Sequence, residues 1–277
     1  MTSPSRVLTS IGAYVVLALA AVVTLGPFLL SVLTAFKSPG QFASDGSLTA
    51  PAPFLLDNFV TLLTGPAEFG NAIFVTVAVT AVIVVFQLGF SVLAAYAFAR
   101  IDFAGRRVLF WAYLSGLMVP NIVLVIPLYL MMVELGLRNT FWGLVLPFMF
   151  GSPYAIFLLR EYFRGIPTDL VDAARIDGAG HWRILGSIIV PLSKPILATL
   201  TLITIVSQWN SFLWPLVITT GPDWRVITVA TASLQSQYNG NWTLVMAATT
   251  LALVPLVVLF LIFQKQVVRS ITISGFK

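Results

Sequence analysis

The chain has 277 residues, of which 58% are hydrophobic and only 9% charged, with a formal net charge of +5. A soluble domain carries about 25% charged residues. So few charges, together with a mean hydropathy of +0.98, exclude a water-soluble globule and place the chain among polytopic membrane proteins, while the lack of cysteine excludes disulfides, thiolate metal sites and thiol catalysis.

Six apolar stretches can be drawn, near 7–36, 71–99, 108–133, 141–159, 195–219 and 243–264. Each approaches or exceeds the roughly 20 residues a helix needs to cross about 30 Å of hydrocarbon, and a helix in lipid satisfies its own backbone. The expectation is an all-α membrane protein, a single domain over 1–277 with six transmembrane helices. Ala18-Leu19-Ala20 resembles a signal cleavage site, but the apolar run continues to Phe36. That is too long for a signal segment, so the first stretch is read as a retained span.

Between the spans, 37–70 holds Pro39, Gly40, Pro51, Pro53, Gly65 and Pro66. This composition predicts a loop with one short interfacial helix near Asp57–Leu63. Segment 100–107 is a brief basic connection. The turn 134–140 is equally short and makes spans three and four antiparallel neighbours. Segment 160–194 is the longest inner connection, 220–242 is a polar and aromatic outer loop, and 265–277 is an inner tail. Pro120, Pro127, Pro147, Pro153, Pro215 and Pro255 fall inside spans. They are compatible with packing kinks or with hinges and cavity lining.

The basic residues fix an orientation. With both termini inside, twelve of the fifteen lysines and arginines lie on the inner side, leaving Lys37, Arg138 and Arg225 outside. The acids divide evenly, and Lys/Arg bias is what sets topology, so the chain is expected N-in and C-in. No dense basic run exists to suggest nucleic acid as a partner.

None of the six spans contains Asp, Glu, Lys, Arg or His. Intramembrane ionisable groups mark proton relays and ion pathways. Their lack disfavours a proton-coupled carrier, a voltage sensor or an intramembrane protease, though sodium coupling through backbone carbonyls stays open. There is no G-x-x-x-x-G-K-[ST] sequence, and the sole histidine, His181, cannot form a multi-histidine metal site. The polar groups within the spans are amides and hydroxyls. Asn121, Gln208, Trp209, Asn210 and Trp214 are candidates for lining a solute path, since amides pair with hydroxyls and indole faces cover C–H surfaces. Hydrogen bonding between packed helices is the competing use of the same amides.

The inner segment 165–195 has its own pattern. Pro167 suits a first helical turn, Asp169 and Asp172 favour the positive helix end, and Gly178 is placed to stop the helix. A second helix near His181–Val190 buries Leu185, Ile188 and Ile189 and is expected to break at Pro191. Ala173, Ala174, Gly178 and Ala179 keep one side small, so that another protein can approach closely. An interfacial helix without a partner is the alternative.

The run Asp172-Ala173-Ala174-Arg175-Ile176-Asp177-Gly178-Ala179, followed by Ile189-Val190-Pro191-Leu192, resembles the "EAA" signature of permease subunits in bacterial ABC importers, with Asp172 for the usual Glu and Val190 for the usual Leu. Arg100-Ile101-Asp102-Phe103-Ala104-Gly105-Arg106, Met118-Val119-Pro120-Asn121 and Trp209-Asn210-Ser211-Phe212-Leu213-Trp214-Pro215 are similar to the carbohydrate branch, with its maltose-type and glycerol-3-phosphate-type permeases.

The resemblance implies a type I importer permease fold in a bacterial cytoplasmic membrane. It implies a second, related permease, an extracytoplasmic solute-binding protein and two ATPase subunits that hold ATP and magnesium, with no cofactor in this chain. Asp169, Asp172, Ala173, Ala174, Arg175, Asp177, Gly178 and Ala179 would form a coupling helix seated on an ATPase, and the tail 270–277 would reach toward the ATPase pair. The outer loop, with Gln237, Tyr238, Asn239 and Trp242, matches in position a loop that contacts the binding protein. Charge-free spans favour a neutral sugar over glycerol-3-phosphate or a glycerophosphodiester. A self-contained secondary carrier and a membrane scaffold or intramembrane enzyme are the more distant alternatives.

Overall fold

Apolar runs with few interior breakers fold as continuous helices, and runs carrying clustered Pro and Gly do not. The computed structural model describes residues 4–237 and 240–274, with side chains over 10–235 and 240–264. Among them every regular element is helical. Among the described residues, three helices are long and apolar enough to cross a membrane: Ser10–Ala35, Phe69–Arg100 and Trp242–Gln264. Two bent pairs reach that length together, Arg106–Met118 with Asn121–Glu134 at 101°, and His181–Leu192 with Lys194–Trp209 at 79°.

The chain divides into two compact units, 1–70 with 230–255, and 71–229 with 256–277. In the first, the Pro4–Ala35 helix exposes Val16, Val22 and Val23 around its circumference, as a lipid-facing helix does. Segment 37–70 is more ordered than its proline content predicts. Ser38 caps a helix over Pro39–Asp45 by accepting the Gln41 N–H, with Pro39 in the first turn, where it starts a helix rather than breaking it. The expected short helix spans Asp57–Thr64. Asn58 donates to the carbonyls of Ala35 and Lys37 at 2.8 Å, and Lys37, fully buried, donates to the Gly46 carbonyl and the Thr49 hydroxyl.

In the second unit, three expected spans are interrupted. Span 108–133 turns at Val119-Pro120: the residue before proline is extended, and a 3₁₀ turn over Gly116–Met118 precedes it. Span 141–159 becomes a short helix, Phe141–Val145, then irregular chain, then Pro153–Arg164, which runs into the expected inner loop. Pro147 and Pro153 each remove a donor, and Gly151 approaches the neighbouring helix so closely that a Cβ would lie 3.3 Å from Ser91 N. Span 195–219 stops at Trp209 and resumes as Leu213–Ile218.

Two further corrections concern loops. Segment 220–242 contains the helix Ile227–Gln237, whose Ile227, Val229, Ala230 and Leu234 are buried. The final helix continues to Ser274, through most of the expected tail. The core of the second unit forms two clusters. One, around Val75, Val79, Ile83, Trp214 and Ile218, lies toward the start of the Phe69–Arg100 helix. The other, around Tyr96, Phe163, Val171, Ile184 and Ile189, lies toward its end.

Candidate functional site

The polar segment after Arg164 folds as two helices around a glycine turn. Thr168–Ile176 follows Pro167, which sits just before the first turn rather than inside it, and Asp169 lies in that turn. The C-terminal stop is a Schellman motif: Gly178 N–H bonds to the Arg175 carbonyl and Ala179 N–H to the Ala174 carbonyl, at 3.0 and 2.9 Å. Gly178 has φ +78°, in the left-handed region that disfavours a Cβ.

The second helix, expected to break at Pro191, instead runs through it to Leu192. Leu185–Ile189 is a π turn in which Val190 N–H reaches the Leu185 carbonyl. The wider turn takes up the register that proline would otherwise disrupt. The chain breaks two residues later, at Ser193.

The small side of this segment divides. Ala174 and Ala179 are half-buried against the protein's own core, beside Val171, while Ala173 and Gly178 are exposed. Asp172, Arg175 and Asp177 are also exposed, and Arg175 pairs with Asp172 at 3.3 Å. Next to them stand two large apolar side chains that the sequence did not single out, Ile176 at 88% exposure and Trp182 at 77%. The surface therefore offers apolar groups, acids and an open glycine turn, where nothing lies within 4 Å of a Cβ added at Gly178.

A second feature is a cleft of about 710 Å³ where the interrupted spans meet. Of the sequence candidates, Asn121, Gln208 and Trp214 line it, joined by Gln87, Ser207 and Ser211, and no lining residue is charged. The Trp214 ring is buried, with its N–H bonded to the Gly143 carbonyl at 3.1 Å, so it contributes surface rather than a free donor. Trp209 and Asn210 do not line the cleft. Trp209 is buried, and the Asn210 amide folds back onto the Val206 carbonyl at 2.8 Å. Gln87 stands in the sequence as an amide within an apolar run, a signal that marks it as a candidate.

Of the outer-loop candidates, Trp242 opens the last long helix and is partly exposed. Tyr238, Asn239 and the Gln237 side chain lie outside the described residues, as do 275–277 of the tail.

Residues 87–273 match the family described as binding-protein-dependent transport system inner membrane component. The chain is 35% identical over 257 residues, 91% of its length and 90% of the relative's, to the arabinooligosaccharides transport system permease protein AraQ of Halalkalibacterium halodurans. It is 33% identical over 275 residues, 98% and 97% of the two chains, to the trehalose/maltose transport system permease protein MalG of Thermococcus litoralis. Among solved structures, one chain of a bacterial ABC transporter involved in the import of the acidic polysaccharide alginate superposes with a TM-score of 0.83 and 25% identity, covering 96% of this chain and 98% of that one.

Proposed function

The chain belongs to the family of binding-protein-dependent transport system inner membrane components, and from that premise we propose that it carries a sugar inward through alternating access powered by ATPase partners. It is a transporter subunit and not an enzyme. The observation that carries the proposal is the exposed Ile176–Gly178–Trp182 surface on a chain without a nucleotide-binding sequence. Such an apolar, acid-rimmed knob suits insertion into a groove of a partner.

In this scheme the termini lie inside, a second permease completes the pathway, and two ATPases bind ATP and magnesium below. A solute-binding protein delivers the sugar from outside. Nucleotide-driven closure of the ATPases displaces the Thr168–Ile176 helix and switches the spans. The uncharged cleft supports a neutral, hydroxyl-rich solute: Gln87, Gln208 and Ser211 supply amides and a hydroxyl, and Phe148 and Trp214 supply ring surface. The sugars in the relatives' names support the same class. A phosphorylated solute finds no basic side chain along the cleft.

The Ile176→Glu variant tests the docking surface. Ile176 is almost wholly exposed, so the change does not disturb this chain's packing. Membrane insertion is expected to persist while co-purification of the ATPase subunit falls at least about tenfold, as for a central interface residue. Undiminished ATPase recovery sinks the docking role. Ile176 is a cleaner choice than Gly178, where any side chain also strains the backbone.

A further inference from the structure

We infer that Tyr96 is a positioning residue of the transport cycle: through His181 it holds the end of the Phe69–Arg100 helix to the chain beyond the docking helix, so the two move as one block. The inference rests on the docking role proposed for Thr168–Ile176. A displacement imposed on a surface helix moves a span only through contacts that resist sliding. Val171, Ala174 and Ala179 hold the docking helix by apolar packing, which is non-directional. Hydrogen bonds add the directional restraint that such packing lacks.

Among the described residues, one side-chain hydrogen bond joins Phe69–Arg100 to the segment 168–192. The Tyr96 hydroxyl lies 3.2 Å from His181 Nδ1, with the rings edge-to-face at 6.1 Å. Tyr96 is only 4% exposed. Phenylalanine would fill the same core, and a buried hydroxyl is unfavourable unless it is bonded, so the phenol oxygen is explained by His181. His181 is at the first position of the helix that follows the glycine turn.

One turn further on, Arg100 grips the chain upstream of the docking helix. Its guanidinium donates to the carbonyls of Phe163, in the last turn of the Pro153–Arg164 helix, and of Ile166, two residues past its end, an arrangement suited to a cation at a helix C-terminus. The docking helix is thus bracketed by polar anchors on both sides, and both anchors stand in the last two turns of one 32-residue helix. A helix of that length spans about 48 Å. It is unbroken over that length, whereas the helix pairs Arg106–Met118 with Asn121–Glu134 and His181–Leu192 with Lys194–Trp209 bend by 101° and 79°.

The cysteine-free chain allows a test that needs no knowledge of the solute. Spin labels at Val85→Cys and Ser187→Cys, both exposed, report the distance between the long helix and the second inner helix. The sample is the complete importer complex in nanodiscs, nucleotide-free and after trapping with Mg-ATP and vanadate. With Tyr96 intact the distance is expected to be the same in both states. In Tyr96→Phe and in His181→Leu it shifts by about 2 Å or more on trapping, beyond the tolerance of a hydrogen bond. His181→Asn, which keeps an acceptor near the Nδ1 position, restores the constant distance.

A nucleotide-dependent shift with Tyr96 and His181 intact overturns the inference, as does a constant distance in both disrupting variants. Equal shifts in His181→Asn and His181→Leu also overturn it, by assigning the effect to ring packing. Because His181 is exposed, His181→Leu carries the test even where Tyr96→Phe does not assemble. Failure of the docking role shows separately, as loss of the Ile176 effect on ATPase recovery.

Discussion

The side-chain amide of Gln87 donates to the backbone carbonyl of Phe148 at 2.9 Å. Four residues along the same helix, the Ser91 hydroxyl accepts the N–H of Ser152 at 3.1 Å. These two bonds supply partners for the irregular backbone between Val145 and Pro153. In hydrocarbon such backbone is tolerated only where protein groups or water satisfy it.

Gln87 and Gln208 both line the cleft, yet their replacement has different consequences. Gln87→Leu leaves the Phe148 carbonyl without its partner, and the purified protein is expected to lose about 1–3 kcal/mol of stability. Gln208 makes no side-chain hydrogen bond within the described protein, so Gln208→Leu leaves thermal stability unchanged. Thermal unfolding in detergent, followed by fluorescence of the buried tryptophans, separates the two. Equal melting shifts refute the distinction.

Among the described residues, the Lys37 ammonium donates to two neutral acceptors, Gly46 O at 2.7 Å and Thr49 Oγ1 at 2.9 Å. Lys37→Met keeps the aliphatic stem but removes both bonds. A loss of about 1.5–3 kcal/mol is expected, the range for hydrogen bonds to charged groups. Hydrogen exchange at 46–50 is the direct readout, and it quickens if Lys37 is the anchor of that loop.

Gly143 sits where a Cβ would be 2.2 Å from the Leu137 carbonyl oxygen. Backbone occupies that space and cannot turn aside, so Gly143→Ala is expected to destabilise by about 3 kcal/mol, the upper range for an overpacked core. Gly180→Ala serves as the control, because nothing lies within 4 Å of its added Cβ and its φ is negative. Comparable melting temperatures for the two variants contradict this.

Much of segment 165–195 was legible in advance. Asp169, Gly178 and the apolar residues Leu185, Ile188 and Ile189 act through local helix chemistry, and the Schellman turn needs only the glycine and its immediate neighbours. Pro191 does not break the helix because a π turn absorbs it, and that option depends on packing of Ile184, Leu185 and Ile189 rather than on the proline. The helix Ile227–Gln237 was missed because its turn-like flanks outweigh an apolar face only eight residues long. The interruption of span 141–159 was hidden for a different reason. Composition shows how oily a stretch is but not whether Gln87 and Ser91 stand opposite it.

Composition alone settled that this is a helical membrane chain whose apolar stretches carry no Asp, Glu, Lys, Arg or His, because hydropathy sums over residues one at a time. Tertiary structure decided which prolines end a helix, which amides remain free in the cleft, and which tyrosine meets the only histidine. Those outcomes depend on donors and acceptors brought together from 61 to 85 residues apart, and hydrogen bonds form or fail over a few tenths of an ångström.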